Sequence, residues 1–236
     1  MSEGLQGGMN CAKCPAPVCR SAAFMEGPEN CPTAIEADLI ETAMGQYREP
    51  ENAKFARLSS VVEGEAYMKT PWAPQTNSPV TTRLEEIIKL AGKMGYKKLG
   101  VAFCVGLMNE ARILIPILEN KGFEVVSVCC KTGGIPKEEI GLKDEEKTRP
   151  GTYESMCNPI AQAEILNKEK TEFNILMGLC VGHDALFLKH AKALTTVFVV
   201  KDRLLGHNPV VALYQSSSYY RRLLAKDKDD GSGQVG

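Results

Sequence analysis

The chain has 236 residues, 44% of them hydrophobic, with 28 lysines and arginines against 29 aspartates and glutamates and a formal net charge of −1. That length and apolar content can bury a core without disulfides. The balanced charge, with no basic stripe interleaved with aromatics, argues against nucleic acid or anionic lipid as a partner.

The opening residues, MSEG, hold no basic residue and no apolar stretch, and no run approaches the roughly 18 apolar residues of a membrane span. We therefore expect a cytoplasmic protein that does not contact membranes. Thiols there are kept reduced, so nine cysteines, an odd number, point to metal ligation before disulfides.

Residues 1–32 are rich in Cys, Gly and Pro and read as a loop organised around ligands, with metal supplying the missing core. The stretch CAKCPAPVC at 11–19 and the later NCPTAIE provide Cys11, Cys14, Cys19 and Cys31, separated by two, four and eleven residues. Four thiolates complete either a [4Fe-4S] cube or a tetrahedral zinc site. Prolines directly after Cys14 and Cys31 suit iron–sulfur loops, and the cluster is the preferred expectation, with zinc as the alternative.

Thr33 and Glu36 read as a capping box that opens a helix with Ile35, Leu39, Ile40 and Ala43 on one face, ending near Gly45. A second helix follows Pro50, with Phe55, Leu58 and Val62 on its buried side. TPWAPQTNSP at 70–79 carries three prolines and is expected to be an extended connector. It divides a Cys-rich, helical metal-binding region (1–75) from an α/β domain (76–225), and the polar tail 226–236 is expected to be disordered.

Thr82 and Glu85 offer another capping box for a helix reaching about Gly95. Short apolar runs then alternate with helices: KLGVAFC (98–104), a helix over 108–121, FEVVSVCC (123–130), a helix over 158–170, FNILMGLC (173–180), a helix over 184–193, and TVFVVK (196–201). Continuously apolar strands separated by helices imply a parallel sheet covered on both faces.

The second half also repeats itself. VAFCVGLMNEA (101–111) matches MGLCVGHDALF (177–187), and CNPIAQAEIL (157–166) matches HNPVVALYQS (207–216), with strands ending at Lys131 and Lys201 in between. The expected architecture is a parallel sheet of internally duplicated strand–helix units. Residues just past the carboxyl ends of parallel strands share one rim, where such folds place their sites.

That rim gathers the second cysteine group. Cys104 and Cys180 hold equivalent positions in the repeat, as do Cys157 and His207, and these four are the expected ligands of a second metal, cluster or substrate site. A cysteine between strand and helix favours the thiolate. Cys180 with His183, three residues on, is the candidate catalytic pair for thiol chemistry. Cys129 and Cys130, taken singly, read as small apolar core residues. Lys131, Lys201, Asp202 and Arg203 lie on the same rim, either as a site for an anionic substrate or as a solvated strand end.

The combination of CAKCPAPVC, LCVGHD, KDRLLGHNP and CNPIAQAEIL resembles the bacterial and archaeal family called domain of unknown function 1847, over nearly the whole chain. The resemblance implies a cytoplasmic metalloprotein whose ligands are these motif cysteines, with no established reaction. The functional expectation is an iron–sulfur redox protein with an electron-transfer partner. The alternative is a zinc-stabilised module that binds a small molecule or metal ion without redox chemistry.

Overall fold

Proline and glycine set several helix ends in the computed structural model, which describes residues 9–15, 17–20, 27–70 and 73–226. The chain divides into two compact units, 1–78 and 79–236. Of the expected disordered tail, residues 227–236 lie outside the described residues.

In the first unit, single turns of 3-10 helix at Cys11–Lys13 and Val18–Arg20 precede α1 (Pro32–Ile35), α2 (Ala37–Tyr47) and α3 (Pro50–Glu65). The single helix expected from Thr33 differs in two respects. Cys31 is the N-cap and Pro32 the first helical residue, because proline lacks the N–H that the first turn leaves unpaired and its φ is already helical. Glu36, with φ −112°, then breaks the run between α1 and α2. Pro50 starts α3 in the same way, and Val62 on that helix is buried.

The proline-rich segment expected to connect the two regions carries secondary structure of its own. β1 (Tyr67–Thr70) and β2 (Ala73–Pro79) form a two-stranded sheet. Prolines favour extended backbone, and they are tolerated in strands whose N–H row is unpaired.

The second unit begins with α4 (Arg83–Met94), where the Thr82–Glu85 capping box forms: the Glu85 N–H donates to Thr82 Oγ1 at 3.3 Å and the Thr82 N–H donates to Glu85 Oε2 at 2.7 Å. There follow β3 (Lys98–Phe103), α5 (Met108–Asn120), β4 (Glu124–Cys129), α6 (Pro159–Lys168), β5 (Phe173–Met177), α7 (His183–His190), β6 (Thr195–Val199) and α8 (Val210–Tyr214).

The four strands are parallel in the order β4-β3-β5-β6. This sets β3-α5-β4 and β5-α7-β6 side by side across a β3–β5 seam. The seam strands are the apolar runs: Leu99–Phe103 and all of β5 are buried, as expected of strands covered on both faces. Ala102, Val128 and Leu176 pack with Ala163 and Leu166 of α6 and Phe187 of α7 on one face. On the other, Leu84, Ile113, Leu114 and Ile117 of α4 and α5 meet Met177 and Val199 around a cavity of about 460 Å³.

Two buried polar details fix the carboxyl ends of the strands. Gln162, fully buried on α6, donates through Nε2 to the carbonyls of Val128 (2.7 Å) and Phe103 (3.2 Å), tying β4 to β3 at the position where both chains turn. Gly178, just past β5, has φ +64°, and a Cβ there would lie 2.1 Å from Leu107 Cδ1. Both the strained backbone and the collision oppose a side chain. Gly178→Ala should lower the urea-unfolding free energy by about 2–4 kcal/mol. Gly95→Ala, at φ +84° but with open space around it, should cost only about 1 kcal/mol; equal losses would refute the packing argument. Among the described residues, no helix is long and apolar enough to cross a membrane.

Candidate functional site

β3 and β4 end side by side, with Phe103 in register with Cys129, so the next residue of each strand reaches the rim together. Cys130 donates its N–H to the Phe103 carbonyl (2.9 Å), continuing the ladder one residue beyond the strand. Its own carbonyl accepts from the Asn158 N–H (2.7 Å), which holds the start of α6, and with it Cys157, against the end of β4. Asn158 caps that helix by accepting from the Ala161 N–H at 3.0 Å. Local capping and strand pairing thus bring three cysteines from three segments together.

The three sulfurs form a chain with Cys130 in the middle, hydrogen-bonded to Cys104 on one side and Cys157 on the other. The Val105 N–H donates to Cys130 Sγ at 3.3 Å. Cys130 is 1% exposed and Cys104 6%, whereas Cys157 is only half-buried. Cys157 is therefore the sulfur that a solute reaches first.

Each flanking sulfur has its own cation. A Cβ on Gly106 would lie 3.4 Å from Lys201 Nζ and 3.8 Å from Cys104 Sγ, which places the ammonium at that sulfur. Lys131 approaches Cys157, while its Nζ also donates to the Ser155 carbonyl at 2.6 Å. Cys104 is lowered to about 5, first by its hydrogen bond with Cys130 and further by the Gly106 N–H and Lys201, with burial opposing. Cys157 is lowered to about 5, first by Cys130 and then by the charges of Lys131 and His183, again against burial. Cys130 is pushed up by the same two hydrogen bonds and by burial. It is the thiol that keeps its proton, and a single S–H serves one neighbour at a time.

Of the residues expected on the rim, Cys104 and Cys157 meet through Cys130. Cys180 and His207 have other partners. Arg203 donates to Cys180 Sγ at 2.9 Å. His207, at φ +67°, accepts at Nδ1 from the Asp202 N–H (3.1 Å) and donates its own N–H to the Asp202 carbonyl (2.8 Å), at the edge of the α4/α5-face cavity. The His183 N–H donates to the carbonyl of Cys180, not to its sulfur, and the His183 ring acts on Cys157. Its Nδ1 is buried and has no hydrogen-bond partner among the described residues.

Cys130, which reads singly from the sequence as a small apolar core residue, is buried among the core residues and in addition meets both Cys104 and Cys157. The signal that could have found this meeting was the pairing expected of two adjacent strands: KLGVAFC and FEVVSVCC both end in cysteine, so paired in parallel they bring the two sulfurs to the rim together.

The N-terminal cysteines are more open: Cys11 and Cys19 are exposed, Cys14 and Cys31 half-buried. Cys31 is held below the usual thiol value, first by the Thr33 hydroxyl and then by the Thr33 and Ala34 N–H groups. Among the described residues, no three or more His, Cys, Asp or Glu are arranged to hold a metal ion. The donor set fits a soft metal by chemistry, since four thiols lie within 21 residues. Its closure around an ion would be one event with the folding of this segment.

A family model described as "Protein of unknown function (DUF1847)" matches residues 31–198, a span that holds Cys104, Cys130, Cys157, Lys131 and His183 and stops short of Lys201, Arg203 and His207. An uncharacterized protein of Methanocaldococcus jannaschii, MJ0455, is 45% identical over 220 residues, which is 93% of this chain and all of that protein.

Proposed function

The chain belongs to the DUF1847 family, a family of unknown function, and on that premise we propose a redox function carried by its own thiols. The α/β unit is a dithiol site that reduces a disulfide, with Cys157 as nucleophile, Cys130 as the resolving thiol and Cys104 as the base that receives the Cys130 proton. The observation that carries this reading is the contact chain Cys104–Cys130–Cys157, buried at one end and reachable at the other, with a lysine at each outer sulfur.

The three roles follow from position. A nucleophile needs access and thiolate character, and of the three sulfurs Cys157 is the least buried and lies beside Lys131. A resolving thiol needs to touch the nucleophile, and Cys130 does. To attack, Cys130 has to lose a proton, and Cys104, held as thiolate beside Lys201 and already hydrogen-bonded to it, is placed to take it. Peptide mapping after exposure of the reduced chain to a small disulfide tests this: a Cys130–Cys157 link is expected, and its absence alongside intact thiols would sink the proposal.

The N-terminal cysteines support a second element of the same reading. Cys11, Cys14, Cys19 and Cys31 would hold a [4Fe-4S] cluster, which supplies electrons one at a time when bound. What supports it is the C-x2-C opening, with further thiols four and eleven residues on and a proline after two of them. Chain purified without oxygen should be brown and carry about four irons, and lose them in Cys11→Ser/Cys14→Ser while keeping them in Cys130→Ala. A colourless protein with one zinc per chain would replace this element by the zinc-stabilised alternative and leave the dithiol site standing.

A further inference from the structure

Three cations border the sulfurs of the rim. Lys131 lies at Cys157, Lys201 at Cys104, and Arg203 at Cys180 Sγ, 2.9 Å away. None of the three takes part in an ion pair among the described residues. Among the described residues, none of the carboxylates near them in sequence is paired with these cations. Asp202 Oδ1 accepts from the Leu204 and Leu205 N–H groups at 3.0 and 2.8 Å, and Asp184 Oδ1 accepts from the Ala185 N–H at 2.8 Å. Glu154, next to the Ser155 that holds Lys131, is paired with Lys137 at 2.5 Å.

The sulfur that attacks is a thiolate beside Lys131, and disulfide reduction removes that charge. When Cys157 Sγ attacks a disulfide RS–SR, the Cys157–SR bond forms, the S–S bond of RSSR breaks, and the electron pair leaves as RS⁻. Cys157 is then neutral and Lys131 has lost its counter-charge. Cys130 next passes its proton to Cys104, and its sulfur attacks Cys157 Sγ. The Cys130–Cys157 bond forms and the second RS⁻ departs. The two protein thiols have lost two electrons, the disulfide has gained them, and the proton rests on Cys104. At the end neither Cys104 nor Cys157 bears charge, and both lysines are uncompensated.

Resting on the dithiol reading above, we infer that the disulfide this rim reduces is an anionic one, formed from a small thiol that carries carboxylate, sulfonate or phosphate. In the mixed disulfide, fixed negative groups on the bound half replace the charge that leaves Cys157, and the same cations draw such a molecule toward the rim. A neutral disulfide leaves Lys131 unbalanced at that stage, and a cationic one adds repulsion to that cost.

The test uses the full, reduced chain and three disulfides of similar size: 3,3'-dithiodipropionate (dianion), 2-hydroxyethyl disulfide (neutral) and cystamine (dication). Each single-turnover rate is divided by the rate of the same disulfide with a free small thiol, which removes its intrinsic reactivity. At low ionic strength the dianion should exceed the neutral compound by about tenfold or more, with the dication slowest, and added salt should shrink the spread. In Lys131→Gln/Lys201→Gln, and more weakly in Arg203→Gln, the dianion-to-neutral ratio should fall toward one. A dication as fast as the dianion, or a ratio indifferent to salt and to these substitutions, would overturn the inference while leaving the dithiol reading intact. If none of the three disulfides links Cys130 to Cys157, the dithiol reading fails, and this inference with it.

Discussion

Between pH 6 and pH 9, the alkylation rate of Cys157 in the native chain, divided by its rate in the urea-unfolded chain, should fall by about two hundredfold. The native thiol is lowered to about 5, against about 8.5 for a thiol in an unfolded chain. At pH 6 the native sulfur is then about nine-tenths thiolate and the unfolded one about 0.3%. At pH 9 both are mostly thiolate, the unfolded one about three-quarters.

Two other effects slow the native sulfur, and neither changes with pH over this range. A thiolate of low pKa is a weaker nucleophile, here by about 25- to 60-fold, and partial burial restricts the reagent. Both factors cancel when the ratio at pH 6 is divided by the ratio at pH 9. Iodoacetamide labelling followed by mass spectrometry of the Cys157 peptide gives the readout. A ratio that stays flat across the range would mean that Cys157 is an ordinary thiol and that the rim has no nucleophile.

Cys130→Ala should remove most of that effect. The hydrogen bond with Cys130 is the first cause of the lowered value at both Cys157 and Cys104, and it opposes a burial cost that stays when the S–H is gone. Alkylation of Cys157 at pH 6 should slow by about tenfold or more, and no rim disulfide should form on exposure to RSSR. Cys130→Ser separates the two roles: its hydroxyl donates as the thiol did, so alkylation at pH 6 should be substantially restored while disulfide formation stays abolished. Cys129→Ala, one residue back on β4, should behave as the native chain does in both assays. Native alkylation and native disulfide formation in Cys130→Ala would refute the central position given to this residue.

Much of the second unit was legible in the sequence, because its signals are local. The Thr82–Glu85 box, the glycine at 95 and the unbroken apolar runs 99–103 and 173–177 each report a conformation that neighbouring residues impose. The expected alternation of strands and helices matches β3 through β6 to within a few residues. The first unit was read less well. Pro32 moved the helix start away from Thr33, and the proline-rich segment found a strand partner in β1, a contact that composition does not announce.

The rim was only half legible. The repeat pointed to Cys104 and Cys157 but grouped them with Cys180 and His207, because equivalent places in a duplicated sequence look like members of one set. Contact between them depends instead on which strands are neighbours: β4 lies beside β3 at the sheet edge, so Cys104 faces Cys130, while Cys180 follows β5 and meets Arg203 from beyond β6.

By itself the sequence determined the elements, the parallel class of the sheet and the fact that thiols crowd its carboxyl rim, since periodicity, capping and strand ends are properties of short stretches of chain. Only the tertiary structure decided which sulfurs touch and which of them keeps its proton. Those depend on strand order, on the Asn158-to-Cys130 bond that folds α6 back over the rim, and on burial. All three arise from residues far apart in the chain, and no spacing rule encodes them.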